Sequence, residues 1–262
     1  MGKHLLLAAV LLVLLCGCSA PGEETVPPIP SEPIATTTES KPTEPATIPQ
    51  ATEQTEPAFS CHSGIRPDGS FDEGTLFIGD SLTREMVGGY LKRNGLLGDA
   101  RYMATPGAAI TSFGIGPRMT RGNSLCSPEF EGLLMCEAVK VAGEQTTAVY
   151  FMMGTNYSEY ATDQMYIDAV QCILDSCPNA TVYLQLVPYE THLKLDYVTA
   201  NERVKEACFY FALRGNQRVK LIDTQTPIGY NLAYDGVHLT PEGNARWYEA
   251  LVAYAKENNI PQ

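Results

Sequence analysis

The sequence is poor in positive charge and offers no recognisable metal-ligand spacing. Its 262 residues include 18 Lys and Arg against 30 Asp and Glu, which gives a net charge of −12. An acidic chain without a basic stretch argues against nucleic acid as a partner and against electrostatic docking on anionic lipid. No Cys/His spacing resembles a zinc site, and nothing in the sequence calls for a metal or another cofactor.

The amino terminus is typical of a bacterial export signal. Lys3 and His4 precede an eleven-residue apolar run, Leu5 to Leu15, which is too short to span a bilayer and suits a signal peptide. The following Leu15-Cys16-Gly17-Cys18 resembles a lipobox. We expect residues 1–17 to be removed and Cys18 to carry a lipid that anchors the protein to the outside of the bacterial cell membrane. The alternative is an ordinary signal peptide cut near Ala20.

Residues 18–58 read as a tether. Residues 19–58 contain nine Pro, seven Glu and no aromatic residue. Such a segment cannot bury enough apolar surface to fold, and its proline content favours an extended chain. Composition changes at Phe59, so residues 59–262 are predicted to form a single folded domain.

Six cysteines lie beyond the lipobox. Cys136, Cys172 and Cys208 fall in apolar helical contexts, which favours free thiols. Cys61 and Cys126 fall in loop-like stretches and could pair in an oxidising compartment. The sequence does not choose among the possible pairings.

From residue 73 onward, strand-like and helix-like stretches alternate. The predicted strands cover residues 75–78, 101–104, 147–153, 181–187 and 219–223, and the predicted helices cover 82–96, 130–141, 164–177, 197–214 and 240–254. Thr240 followed by Pro241 is a good helix start. Short apolar strands separated by helices indicate a three-layer α/β/α sandwich around a parallel sheet. Its ligand site is expected at the carboxyl ends of the strands.

The residues at those ends supply the groups that acyl transfer needs. Ser81 follows the first strand at a strand-to-helix turn, where its hydroxyl is exposed beside an electropositive helix terminus. A serine hydroxyl needs a base, and His238 is a suitable one. Asp235 lies three residues earlier and can hold the other imidazole N–H. Asp80, beside Ser81, is expected to hydrogen-bond backbone in the turn.

The oxyanion formed during acyl transfer needs preorganised donors. The second strand leads to Gly107 and the third to Asn156. The backbone N–H groups of Ser81 and Gly107 and the side-chain amide of Asn156 are therefore the predicted oxyanion hole. Gly114 and Gly116 are alternatives to Gly107.

These segments together resemble the GDSL/SGNH hydrolase family over residues 73–258. Gly79-Asp80-Ser81-Leu82 resembles the first block of that family, Gly107 the second, Gly154-x-Asn156 the third and Asp235-x-x-His238 the last. The resemblance implies a Ser-His-Asp triad and a five-stranded flavodoxin-like sheet of order 2-1-3-4-5. Where the family often has Asp after the third-block Asn, this chain has Tyr157. An α/β-hydrolase elbow is a poorer match, because it requires Gly where Thr83 stands.

The predicted activity is hydrolysis of small O-acyl esters, O-acetyl esters of carbohydrate above all, by an extracytoplasmic serine esterase. Arg84 and Tyr157 are candidate substrate-binding residues, and Phe113, Tyr160 and Tyr234 also neighbour the motifs. Two alternatives remain. One is an O-acyltransferase that acts on a cell-surface glycan with the same residues. The other is a non-catalytic glycan-binding module on the same fold.

Overall fold

A computed structural model describes residues 59–120, 125–156, 158–189, 196–232, 235–258 and 260. The chain divides into two units, Met1–Gln54 and Thr55–Gln262, and every described residue belongs to the second. The signal peptide, Cys18 and nearly all of the predicted tether lie outside the described residues, as do Tyr157 and Tyr234. The bounds 1–17, 18–58 and 59–262 therefore stay predictions.

The central sheet has the predicted order with one addition. The parallel strands are β1 (Thr75–Gly79), β2 (Arg101–Ala104), β4 (Ala148–Met152), β5 (Thr181–Gln185) and β6 (Val219–Ile222). They lie in the order β2-β1-β4-β5-β6, which is the order 2-1-3-4-5 that the resemblance implies. A sixth strand, β3 (Leu125–Cys126), pairs antiparallel with β2 and corrects the expected count of five. With only two residues, β3 has too little pattern to be predicted from sequence.

Helices cover both faces of the sheet, which confirms the α/β/α class. The helices are α1 (Ser81–Arg84), α2 (Met135–Ala142), α3 (Asp163–Ser176), α4 (Tyr197–Leu213), α5 (Gln225–Ile228) and α6 (Pro241–Glu257). The predicted helix 82–96 is instead one α-helical turn that continues as a π-helix over Glu85–Leu91. The predicted helix 130–141 begins later, at Met135, after a 3-10 turn over Pro128–Phe130. Thr240 caps α6 as expected, accepting the Gly243 N–H at 3.1 Å.

One face of the sheet carries an aromatic ladder. Phe77 on β1 pairs in register with Tyr150 on β4, which pairs with Tyr183 on β5. Their rings stack at centroid distances of 5.2 and 5.0 Å. All three side chains are buried, and the opposite face of the same strands is lined by aliphatic residues such as Ile78 and Leu184. Because both faces are buried and a one-residue slip would move every side chain to the other face, the register of these strands is fixed.

The six cysteines within the described residues form no disulfide. Cys61, Cys126, Cys136, Cys172, Cys177 and Cys208 are all free thiols. Cys177 is fully buried, and Cys136, Cys172 and Cys208 are only partly buried against the core. None of the helices in the described ranges combines the length and the apolar character that crossing a bilayer requires.

Candidate active site

Ser81 occupies the turn between the first strand and the first helix. Because it is the first residue of α1, its own helix offers no acceptor for its backbone N–H. The residue is partly exposed. The turn is tight because Gly79 precedes it. A Cβ at Gly79 would lie 2.0 Å from Thr83 Oγ1 and 2.5 Å from the carbonyl oxygen of Met152. Only glycine lets the strand end approach both the helix and β4 this closely.

Asp80 caps the helix and is completely buried. Its Oδ1 accepts the backbone N–H of Leu82 at 3.0 Å, the turn role that the sequence predicted. Its Oδ2 accepts the Thr155 hydroxyl and lies 3.4 Å from the amide nitrogen of Asn156. Burial raises the pKa of Asp80 to about 6, and the hydrogen bonds from Thr155 and Leu82 oppose that rise. Asp80 therefore ties the Ser81 turn to the loop after β4.

The predicted oxyanion-hole residues Gly107 and Asn156 are adjacent in space. Gly107 has φ of +72°, the positive value that the third position of a type II turn requires. The turn is closed by the Ala108 N–H, which donates to the Thr105 carbonyl at 3.1 Å. The Asn156 amide donates to the Ala108 carbonyl at 3.1 Å. The loops after β2 and β4 are thus joined one residue away from Gly107.

Asp235 and His238 form a close pair on the loop before α6. Asp235 Oδ2 lies 2.7 Å from His238 Nδ1. Its other oxygen accepts the backbone N–H groups of Val237 and His238, both at 3.0 Å. The hydrogen bond to the imidazole is the main reason why the pKa of Asp235 falls to about 2. This carboxylate stays ionised at neutral pH and holds the proton of His238 on Nδ1, which leaves Nε2 free to accept one.

Nε2 of His238 faces a residue that the sequence did not indicate. It lies 3.9 Å from Oε1 of Glu85, which follows Ser81 by one helical turn on the same helix face. Among the hydrogen bonds of the described residues, none joins Ser81 to His238. The structure therefore brings His238 to the helix of Ser81 but directs its free nitrogen at Glu85. Burial raises the pKa of Glu85, and the nearby imidazole opposes that rise.

The remaining predicted residues fall in different environments. Arg84 is exposed on α1, and its part in substrate binding stays a prediction. Phe113 is buried and its ring packs edge-on against that of Phe151 with centroids 6.0 Å apart, so it is a core residue. The Gly114 carbonyl accepts a long hydrogen bond from the Cys136 thiol, which places Gly114 against α2. The assignment of Gly107 to the oxyanion hole stays a prediction.

The site contains no set of metal ligands among the described residues. No group of three or more His, Cys, Asp or Glu side chains there has the spacing to hold an ion. Thr155 and Glu85 were missed from the sequence. Thr155 stands inside the Gly154-x-Asn156 segment and had a local signal, whereas Glu85 had none, because its contact depends on where the His238 loop docks.

Comparison with known proteins gives matches among solved structures only. No protein-family model and no curated protein matches the chain. A family two carbohydrate esterase from Clostridium thermocellum is 16% identical, with a TM-score of 0.49; the match covers 71% of this chain and 63% of that one. The chain thus spans less than two thirds of the length of that esterase.

Two further solved structures are matched over nearly their whole length. A family 3 carbohydrate esterase from Talaromyces cellulolyticus is 14% identical, with a TM-score of 0.49, over 70% of this chain and 96% of that one. A carbohydrate acetylesterase from Sinorhizobium meliloti is 18% identical, with a TM-score of 0.45, over 70% and 98%.

Proposed function

We propose that the chain is a serine esterase that hydrolyses small O-acyl esters, O-acetyl esters of carbohydrate above all. The observation that carries the proposal is the 2.7 Å pair of Asp235 and His238, which is set against the helix that Ser81 begins. A nucleophile, a base and a group that orients the base are the minimum for acyl transfer through a covalent serine intermediate. The carbohydrate part rests on the resemblance of the motifs to GDSL/SGNH hydrolases.

The proposed first half-reaction runs through Ser81. His238 turns Nε2 from Glu85 to Ser81 and takes the hydroxyl proton as Oγ attacks the ester carbonyl. The oxyanion of the tetrahedral intermediate accepts hydrogen bonds from the backbone N–H groups of Ser81 and Gly107 and from the Asn156 amide. His238 then gives its proton to the leaving alcohol, and an acyl-serine remains.

The second half-reaction repeats these steps with water. His238 takes a proton from water as the water oxygen attacks the acyl-serine carbonyl. Collapse of the second intermediate returns the proton to Ser81 Oγ and releases the carboxylic acid. Asp235 stays ionised throughout and stabilises the imidazolium that forms twice in each cycle.

We also propose that the enzyme works outside the cell, anchored by a lipid on Cys18. The support is the lipobox-like Leu15-Cys16-Gly17-Cys18 followed by a proline-rich acidic segment. Metabolic labelling with a palmitate analogue tests this anchor. Cys18→Ala should lose the label and appear in the medium, and continued labelling of that variant would exclude Cys18 as the lipid site.

A fluorophosphonate probe tests the nucleophile. The wild type should be labelled and should release acetate from p-nitrophenyl acetate. Ser81→Ala should do neither, while the matched control Ser112→Ala should behave as wild type. Equal labelling of wild type and Ser81→Ala, or none of either, would exclude the esterase. Transfer of acetyl to an added glycan in place of acetate release would identify the transferase alternative.

A further inference from the structure

Three tyrosines form a cluster at the carboxyl edge of the sheet. Tyr230 stacks on Tyr189 with ring centroids 4.8 Å apart and an interplanar angle of 21°. Tyr189 in turn packs edge-on against Tyr197 at 5.6 Å. Tyr230 is 71% exposed even though one face of its ring is covered by Tyr189. The Tyr230 ring therefore presents a flat aromatic face to solvent, and Tyr189, which packs against Tyr197, supports it from behind.

Hydrogen bonds hold the backbone before Tyr189 and after Tyr230. Before Tyr189, the buried Asn201 side chain accepts the Val187 N–H at 2.8 Å and donates to the Val187 carbonyl at 3.0 Å. After Tyr230, the Asn231 carbonyl accepts the Thr240 N–H at 2.9 Å. Because Thr240 is two residues past His238, this hydrogen bond joins the segment of Tyr230 to the loop that carries the proposed base.

We propose that the Tyr189–Tyr230 pair is a platform that binds a neutral sugar ring of an oligosaccharide substrate; this rests on the proposed esterase function. A pyranose has an apolar face of C–H groups and a polar rim of hydroxyls. A tyrosine ring offers the matching apolar face. Stacking on Tyr189 restricts the Tyr230 ring before any ligand arrives, which lowers the entropy cost of binding.

The platform is offset from the nucleophile. Ser81 follows β1, whereas Tyr189 follows β5 and Tyr230 follows β6, which lie two and three strands away. Strands about 4.8 Å apart put these chain segments on the order of 10–14 Å from β1. The ring on the platform is therefore a different ring from the acetylated one. An acetylated monosaccharide would not reach both places.

Three carboxylates lie on the chain segments that carry the cluster. Asp196 adjoins Tyr197 in sequence, and Asp223 and Asp235 lie before and after Tyr230 in sequence. On this ground a uronic acid is disfavoured at the platform, whereas a neutral ring carries no charge to be repelled. The inferred substrate is therefore an O-acetylated neutral oligosaccharide.

The test compares three variants on four acetyl esters. The variants are Tyr230→Ala, Tyr230→Phe and Phe209→Ala, the last a control at another exposed aromatic, near the far end of α4. The esters are p-nitrophenyl acetate, acetylated xylose, acetylated xylohexaose and an acetylated oligogalacturonide. Tyr230→Ala should lower kcat/KM for acetylated xylohexaose about 5- to 10-fold through KM. It should leave kcat/KM for p-nitrophenyl acetate and acetylated xylose unchanged. For wild type, kcat/KM should be lower on the acetylated oligogalacturonide than on acetylated xylohexaose.

Tyr230→Phe and Phe209→Ala should match wild type, since the first keeps the ring face. Unchanged kinetics of Tyr230→Ala on acetylated xylohexaose would overturn the platform, and so would an equal loss on p-nitrophenyl acetate. Calorimetric binding of xylohexaose separates this proposal from the esterase. If the protein hydrolyses no ester but binds xylohexaose more weakly as Tyr230→Ala, the platform is supported and the esterase is excluded. Hydrolysis that depends on Ser81, without any effect of Tyr230→Ala on binding or kinetics, leaves only the esterase.

Discussion

Two aspartates of the candidate site have their pKa values shifted in opposite directions. Asp80 has no solvent exposure, and burial raises its pKa to about 6. Asp235 keeps 38% of its side chain exposed, and its hydrogen bond to His238 lowers its pKa to about 2. Both accept backbone N–H groups in a local turn. The environment of each carboxyl, rather than its residue type, therefore decides which one can stay charged beside the imidazole.

The contrast assigns different work to the two residues. Asp235 is ionised across the neutral range and can support an imidazolium. Asp80 joins the Ser81 turn to Thr155 and Asn156, so it organises the nucleophile side of the site. If this division holds, changing Asp235 should affect turnover most, and changing Asp80 should affect stability most.

Replacement of Asp235 should have the largest effect. Asp235→Asn keeps an oxygen for the Val237 and His238 N–H groups but presents an amide to Nδ1, which favours the wrong tautomer. We expect kcat for p-nitrophenyl acetate to fall about 10³- to 10⁴-fold with little change in KM. Asp223→Asn is the matched control, because Asp223 also caps a turn, accepting the Thr226 N–H at 3.0 Å. Equal losses in both variants would remove Asp235 from the triad.

Replacement of Asp80 should appear in the pH dependence of stability. The folded protein holds the Asp80 proton more tightly than the unfolded chain does. The stabilisation that this bound proton gives to the folded state is therefore complete below about pH 4 and is lost as pH rises through about 6. Asp80→Asn abolishes this loss, so the free energy of unfolding of the variant relative to wild type should rise by on the order of 2–3 kcal/mol between pH 4 and 7.

Urea unfolding at pH 4, 5, 6 and 7 measures this difference. Asp235 does not interfere, because the contribution from its lowered pKa is lost only as pH falls below 4 toward about 2. A difference between Asp80→Asn and wild type that stays flat from pH 4 to 7 would show that Asp80 is ionised in the folded protein throughout.

Replacement of Glu85 should have the smallest effect. Its carboxylate lies 3.9 Å from Nε2 and stabilises positive charge on the imidazole in competition with Ser81. Glu85→Gln removes that charge, so the ratio of kcat/KM at pH 5.5 to that at pH 8 should rise about 2- to 3-fold. An unchanged ratio would show that Glu85 does not stabilise positive charge on His238.

The sequence predicted the local parts of this site well. The strand before Ser81, the capping role of Asp80 and the three-residue spacing of Asp235 and His238 are each encoded within a few residues. The strand order also followed from the family resemblance. The π-helical continuation of α1 and the short edge strand β3 were not predicted, because each depends on packing against distant segments.

The sequence by itself determined where the reactive groups stand along the chain and that they share one edge of a parallel sheet. Only the tertiary structure decided their partners. Asp80 meets Thr155 across 75 residues because β1 and β4 are neighbours in the sheet. Tyr189 meets Tyr230 because β5 and β6 are neighbours as well. Lateral contacts of this kind are set by strand order and register, which a pattern read along one strand does not contain.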